Sequence, residues 1–179
     1  MPDFPGSLTM FEVRRSLPAL GLACMLLAAA HASPAAETPP EFDYPSNLRE
    51  VYGAYQAVIA RKDACATAYP PERAVTEKAY AAWQTRQRKL IDELDQRVAM
   101  MIRGASPNEK DYARNVGKYE GAILQQREEV KRELLQQLPS DLEAMCKALP
   151  GFLRSAESDL EKAYAEELAI VRKRPLGKR

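Results

Sequence analysis

The sequence predicts an all-α protein, an elongated antiparallel up-down-up-down bundle of three to four long helices stapled by one disulfide. Between residues 46 and 171 apolar residues recur every three or four positions, and no stretch alternates with period two. Short connections at 65–71, 103–107 and 138–141 favour antiparallel neighbours. In that order the first and third connections share one end of the bundle, which brings Cys65 and Cys146 close enough to pair.

The first helix is expected at about 47–64, with Ser46 as its N-cap. One face of this segment carries most of its large apolar residues, namely Leu48, Val51, Tyr52, Tyr55, Val58 and Ile59. The sequence Tyr69-Pro70-Pro71 should end the helix, because proline lacks a backbone donor and restricts the residue before it.

The second helix is expected at about 71–103, and Gly104 supplies its stop. The residues that follow, Ser106-Pro107-Asn108-Glu109, form a capping box in which Ser106 is the N-cap of the third helix. The third helix therefore should occupy about 107–138.

The middle of the third helix is weaker than its ends. Gly117 and Gly121 each lower helix propensity by about 1 kcal/mol relative to alanine. Close packing of a neighbouring backbone is the expected reason for these glycines, and a hinge or a ligand-facing notch is the alternative. Gln126 or Arg127 also occupies a layer where an apolar residue would be expected.

Pro139 should end the third helix, and Ser140 to Glu143 form a second capping box. The fourth segment keeps its helical phase to Val171, with a break expected at Pro150-Gly151. The residues expected to be buried together are Trp83, Leu90, Leu94, Ile123, Leu134, Leu160 and Tyr164.

Residues 1–32 have the features of a secretory signal peptide: a basic pair at Arg14-Arg15, an apolar run at 17–30 and a small-x-small site ending at Ala32. A membrane anchor is the alternative, but this run is shorter than the roughly 20 residues that span a bilayer. The sequence therefore predicts an exported protein, periplasmic or secreted.

The sequence predicts four segments: the signal peptide at 1–32, a linker at 33–45, the helical domain at 46–171 and a basic tail at 172–179. Residues 33–45 contain four prolines and should form a flexible linker, in which Phe42 and Tyr44 either dock on the domain or stay solvated. Residues 172–179 form a tail with five basic residues.

The composition of the mature chain excludes several chemistries. Removing 1–32 takes two of the 26 basic and two of the 25 acidic residues, and the near-neutral balance argues against nucleic-acid binding. His31, the only histidine, leaves with the signal, so no histidine remains for a nucleophile–base pair or a di-metal centre. We therefore expect no metal and no cofactor. Two cysteines remain, and in an oxidising compartment they should form a disulfide.

These observations favour a non-enzymatic envelope protein that acts through protein–protein contacts, as an inhibitor, chaperone or assembly factor does. Its partner would be another envelope or secreted protein. The candidate contact residues are Trp83, Arg86, Lys89, Arg172, Lys173 and Arg174. Core burial is the favoured alternative for Trp83. The alternative functions are an enzyme that uses carboxylates or tyrosines without metal, and a lipid- or polyanion-binding protein whose basic tail touches a membrane surface.

Overall fold

A computed structural model of the protein describes residues 40–176, and within that range it contains helices and no strand. The helices are α1 (Pro40–Ala68), α2 (Arg73–Gly104), α3 (Glu109–Leu135), α4 (Pro139–Arg154), α5 (Leu160–Ala163) and α6 (Ala165–Arg172). The predicted helical bundle is confirmed. The predicted signal peptide at 1–32 lies outside the described residues, as do 33–39 of the linker and 177–179 of the tail.

Helix α1 lies at the centre of the bundle and contacts all five other helices. Its small residues Ala60 and Ala64 are fully buried, so neighbouring backbones can approach closely. Contacts fix the directions of its neighbours: Tyr52 meets Tyr119 while Gln56 meets Arg127, so α3 runs parallel to α1. Helices α2 and α4 run antiparallel to it, as the up-down-up-down order requires.

The first helix begins earlier than predicted. Residues 40–45 are helical, so the linker prediction is wrong for this part of the chain, and Ser46 lies inside the helix and is not its N-cap. The Asn47 side-chain amide donates to the Asp43 carbonyl at 2.6 Å. Tyr44 is only 5% exposed, and its burial offsets the one backbone donor that Pro45 removes.

Both predicted capping boxes are wrong in detail. Helix α3 is capped by Asn108, whose side-chain oxygen accepts from the Asp111 backbone at 3.0 Å. The Ser106 hydroxyl instead donates to the Ile102 carbonyl at 2.6 Å, at the end of α2. Asparagine caps as well as serine does, so the N-cap lies two residues further along the chain. Helix α4 starts at Pro139, with Ser140 inside its first turn.

The break expected at Pro150-Gly151 is also misplaced. Helix α4 continues through Pro150 to Arg154, and the chain breaks between Ser155 and Asp159. There the Trp83 indole donates to the Ser158 carbonyl at 2.8 Å. A buried contact with α2 therefore sets the position of the break.

The predicted core is confirmed in α2 and in the last segment but not in α3. Trp83, Leu90, Leu94 and Leu160 are buried, while Ile123, Leu134 and Tyr164 are only partly buried. None of the residues of α3 is fully buried. Close packing at Gly117 and Gly121 is wrong as well, since a Cβ added at either glycine would meet open space.

The predicted disulfide is confirmed. Cys65 and Cys146 are bonded, and their Cα atoms lie 5.3 Å apart. Both side chains are buried, Cys65 near the end of α1 and Cys146 in the middle of α4. The bond therefore joins the central helix to a helix that is distant in sequence.

Replacing both cysteines, Cys65→Ala with Cys146→Ala, should lower the melting temperature measured by circular dichroism. Closing a loop of 81 residues contributes about 4–5 kcal/mol in the chain-entropy model. Wild-type protein in a strong reductant is the matched control and should melt at a similarly lowered temperature. Equal melting of the oxidised wild type and the double variant would contradict a stabilising role.

Candidate functional site

A groove of about 520 Å³ lies between α1, α2 and α3, and we call it the α3 groove. Apolar side chains form most of its walls: Val98, Ile102, Val116, Ile123 and Leu124. Three tyrosines, Tyr52, Tyr112 and Tyr119, complete the lining together with charged residues. The groove exists because α3 rests on its neighbours without burying any side chain completely.

Polar and aromatic contacts hold α3 against the bundle. The Arg127 guanidinium donates to the side-chain oxygen of the buried Gln56 at 2.6 Å. The guanidinium of Arg103 lies 3.5 Å from the centre of the Tyr112 ring. These contacts leave Leu124 exposed at 55%, on the edge of the groove.

A carboxylate and two tyrosines meet at the wall of this groove. Asp95 on α2 lies beside Tyr52, whose ring centre is 6.4 Å from that of Tyr119 on α3. Burial raises the pKa of the Asp95 carboxyl; the Tyr52 hydroxyl opposes this and the charge of Asp92 adds to it. Burial also raises the pKa of Tyr52, with the negative charge of Asp95 as the next cause. The site therefore sets a carboxyl group and a tyrosine hydroxyl side by side, and burial opposes ionisation of both.

Trp83 is not available to a partner. Its side chain is fully buried, and its ring stacks on that of Tyr55 with the centroids 6.3 Å apart. The prediction of a partner contact at Trp83 is therefore wrong, and the favoured alternative, core burial, is confirmed.

Arg86 and Lys89 line a second groove of about 330 Å³, which we call the basic cleft. The structure adds two cations that the sequence analysis missed, Arg154 and Lys162, together with Asp159 and Glu161. The Arg86 guanidinium donates to the Leu153 carbonyl, which fixes one wall. Residues separated by more than sixty positions meet here, so no local pattern could have indicated the cleft.

The first residues of the basic tail fold back on the bundle. Arg172 pairs with Glu93 at 2.8 Å and with Glu161 at 3.0 Å. The guanidinium of Arg174 lies over the Tyr44 ring at 5.3 Å, while Lys173 is exposed. Membrane contact through this tail stays a prediction, and two of its three described cations are engaged within the chain.

A buried arginine of α2 holds the same tail from below. Arg97 donates to the carbonyls of Val171 and Arg174, each at 2.9 Å, and to the Glu93 carboxylate at 2.8 Å. It therefore satisfies carbonyls at the end of α6 that lack helical partners.

Comparison with known proteins yields no relative: no protein-family model, no curated protein and no solved structure matches the chain. Across residues 40–176, no three or more His, Cys, Asp or Glu side chains are grouped so that they could hold a metal ion. In the same range, no helix is both long enough and apolar enough to span a membrane.

The Glu93 cluster predicts a pH-dependent stability. Burial opposes ionisation of Glu93, but hydrogen bonds from Arg172 and Arg97 outweigh it and lower the pKa of this carboxyl. A pKa lowered by folding adds stability above the unfolded value of about 4.3, and that stability is lost as the pH falls through the folded pKa. Glu93→Gln should therefore melt well below the wild type at pH 7, and the gap should shrink by pH 3.

Glu77→Gln is the matched control, since Glu77 is exposed on the same helix and forms no ion pair among residues 40–176. Its melting temperature should follow the wild type at every pH. A gap for Glu93→Gln that stays constant between pH 7 and pH 3 would show that the carboxylate charge contributes nothing.

Proposed function

We propose that this protein is a non-enzymatic, exported envelope protein that acts through protein–protein contacts, and that the α3 groove is its contact surface. The observation that carries the proposal is the apolar groove itself, with Leu124 exposed at its edge. An apolar groove between helices can accept the apolar face of a partner helix.

The shape of the groove suits an amphipathic helix. Its lining follows α3 from Tyr112 to Arg127, a distance of about 22 Å at the rise of an α-helix. Four turns of a partner helix match that length, and such a helix lays one apolar face into a groove of this kind. Glu120, a charged residue of the lining, would help to orient it.

Polyanion binding at the basic cleft is the second candidate. Four basic side chains and two acidic ones line that cleft, and it shares no residue with the α3 groove. Neither Lys89 nor Arg154 forms an ion pair among residues 40–176, so both are free to meet an anion.

Export is part of the proposal. The signal-like segment at 1–32 supports it, and the disulfide agrees with it because such bonds persist in oxidising compartments. Protein purified from the extracytoplasmic fraction should begin near Ser33 when its N-terminus is sequenced. An intact N-terminus at Met1 or Met10 in a cytosolic pool would contradict export.

Leu124→Glu should abolish partner capture, because it places a charge on the apolar edge of the groove. The measurement is a pull-down from an envelope extract with quantitative mass spectrometry, and we expect at least a tenfold loss of the proteins that the wild type enriches. Val75→Glu is the matched control, since Val75 is 49% exposed on α2 and does not line the groove. Both variants should melt close to the wild type.

Enrichment that survives Leu124→Glu would contradict the α3 groove as the contact surface. If it is then lost in Lys89→Gln with Arg154→Gln, the basic cleft is the binding site and the second candidate stands.

A further inference from the structure

We propose that the α3 groove recognises a cationic partner segment: an amphipathic helix whose apolar face fills the groove and whose lysine or arginine reaches the Asp95 carboxylate. This inference rests on the proposed function, because it names the chemistry of the partner at the same surface. The juxtaposition that carries it is the Asp95 carboxylate, which has no ion pair within residues 40–176, beside Tyr52 at the wall of an apolar groove.

Asp95 forms no ion pair with any residue between 40 and 176, which sets it apart from its neighbour Glu93. Glu93 binds Arg97 and Arg172, both within the chain. Arg127, a cation that also lines the groove, is directed to Gln56. The Tyr52 hydroxyl is thus the partner of Asp95 within the chain, and no cation of residues 40–176 pairs with this carboxylate.

Within the chain, the ionised Asp95 carboxylate is supported by the Tyr52 hydroxyl and by no cation. Its side chain stays exposed at the wall of the groove, where a group from a partner can reach it. Ionisable groups kept in such surroundings cluster at functional sites.

Aromatic rings beside Asp95 favour a cation over a neutral donor. The faces of tyrosine rings attract ammonium and guanidinium groups. The groove already shows this contact within the chain, where Arg103 lies 3.5 Å over the Tyr112 ring. Tyr52 offers a ring next to the carboxylate, and Tyr119 contacts that ring on the other wall of the groove. A carboxylate of the partner would instead be repelled by the negative charge of Asp95.

Two small probes with one apolar body test the inference without a known partner. These are 4-phenylbutylamine, which carries an ammonium group, and 4-phenylbutyrate, which carries a carboxylate. Each is titrated into the intact protein at pH 7 while backbone amide signals of the groove residues are followed by NMR. The amine should bind the wild type at least tenfold more tightly than the carboxylate.

Asp95→Asn should reduce that preference to less than twofold, because the amide keeps the shape and removes the charge. Asp92→Asn is the matched control: Asp92 is exposed on the same helix, does not line the groove, and its variant should keep the full preference. Asp95→Glu restores the charge and should retain most of the preference. Asp95→Asn should melt no lower than the wild type, since the penalised charge is gone.

The outcomes separate this inference from the proposed function. If both probes bind the groove equally in the wild type, the groove stands as a binding surface and its preference for a cation is refuted. If neither probe shifts the groove signals at millimolar concentration, both proposals fail. A lost preference in Asp95→Asn accompanied by a lower melting temperature would assign Asp95 a structural role and overturn the inference.

Discussion

The bundle depends on the burial of α1, which contacts every other helix. A helix surrounded in this way must offer small or apolar residues on several faces, and α1 does so with Val51, Ala60 and Ala64, all fully buried. The disulfide fixes α4 near one end of this helix, and the contact between Tyr44 and Arg174 fixes the tail near the other. The positions of the remaining helices follow from which face of α1 each one covers.

Helix α3 receives the most polar share of α1. Tyr52 and the amide of Gln56 contact α3 there, and Val116 and Tyr119 pack against the core from the other side. Helix α3 therefore lies along α1 with its side chains only partly buried, and a groove remains beside it. The packing of α3 against α1 thus leaves the apolar groove on which the proposed function rests.

Helical periodicity was sufficient to predict the fold class. The two cysteines lie near the same end of the predicted bundle, and that was sufficient to predict the disulfide. Local stop and start signals were less reliable. Pro45 and Pro150 lie inside helices because buried neighbours outweigh the loss of one backbone donor, and Ser106 serves the end of α2. The α3 groove has one local indication, the polar layer at Arg127. Its chemistry could not be predicted, since Asp95 and Tyr119 meet only through tertiary packing.

Two carboxylates on α2, only two positions apart, show how the fold separates stability from recognition. Glu93 faces Arg97 and Arg172, and these partners lower its pKa, so its charge supports the folded state at neutral pH. Asp95 faces tyrosines, and burial raises its pKa, so its charge opposes folding under the same conditions. Both groups are carboxylates on one helix, and the side chains around them make the difference. A cation from a partner would give Asp95 the kind of partner that Arg172 gives Glu93.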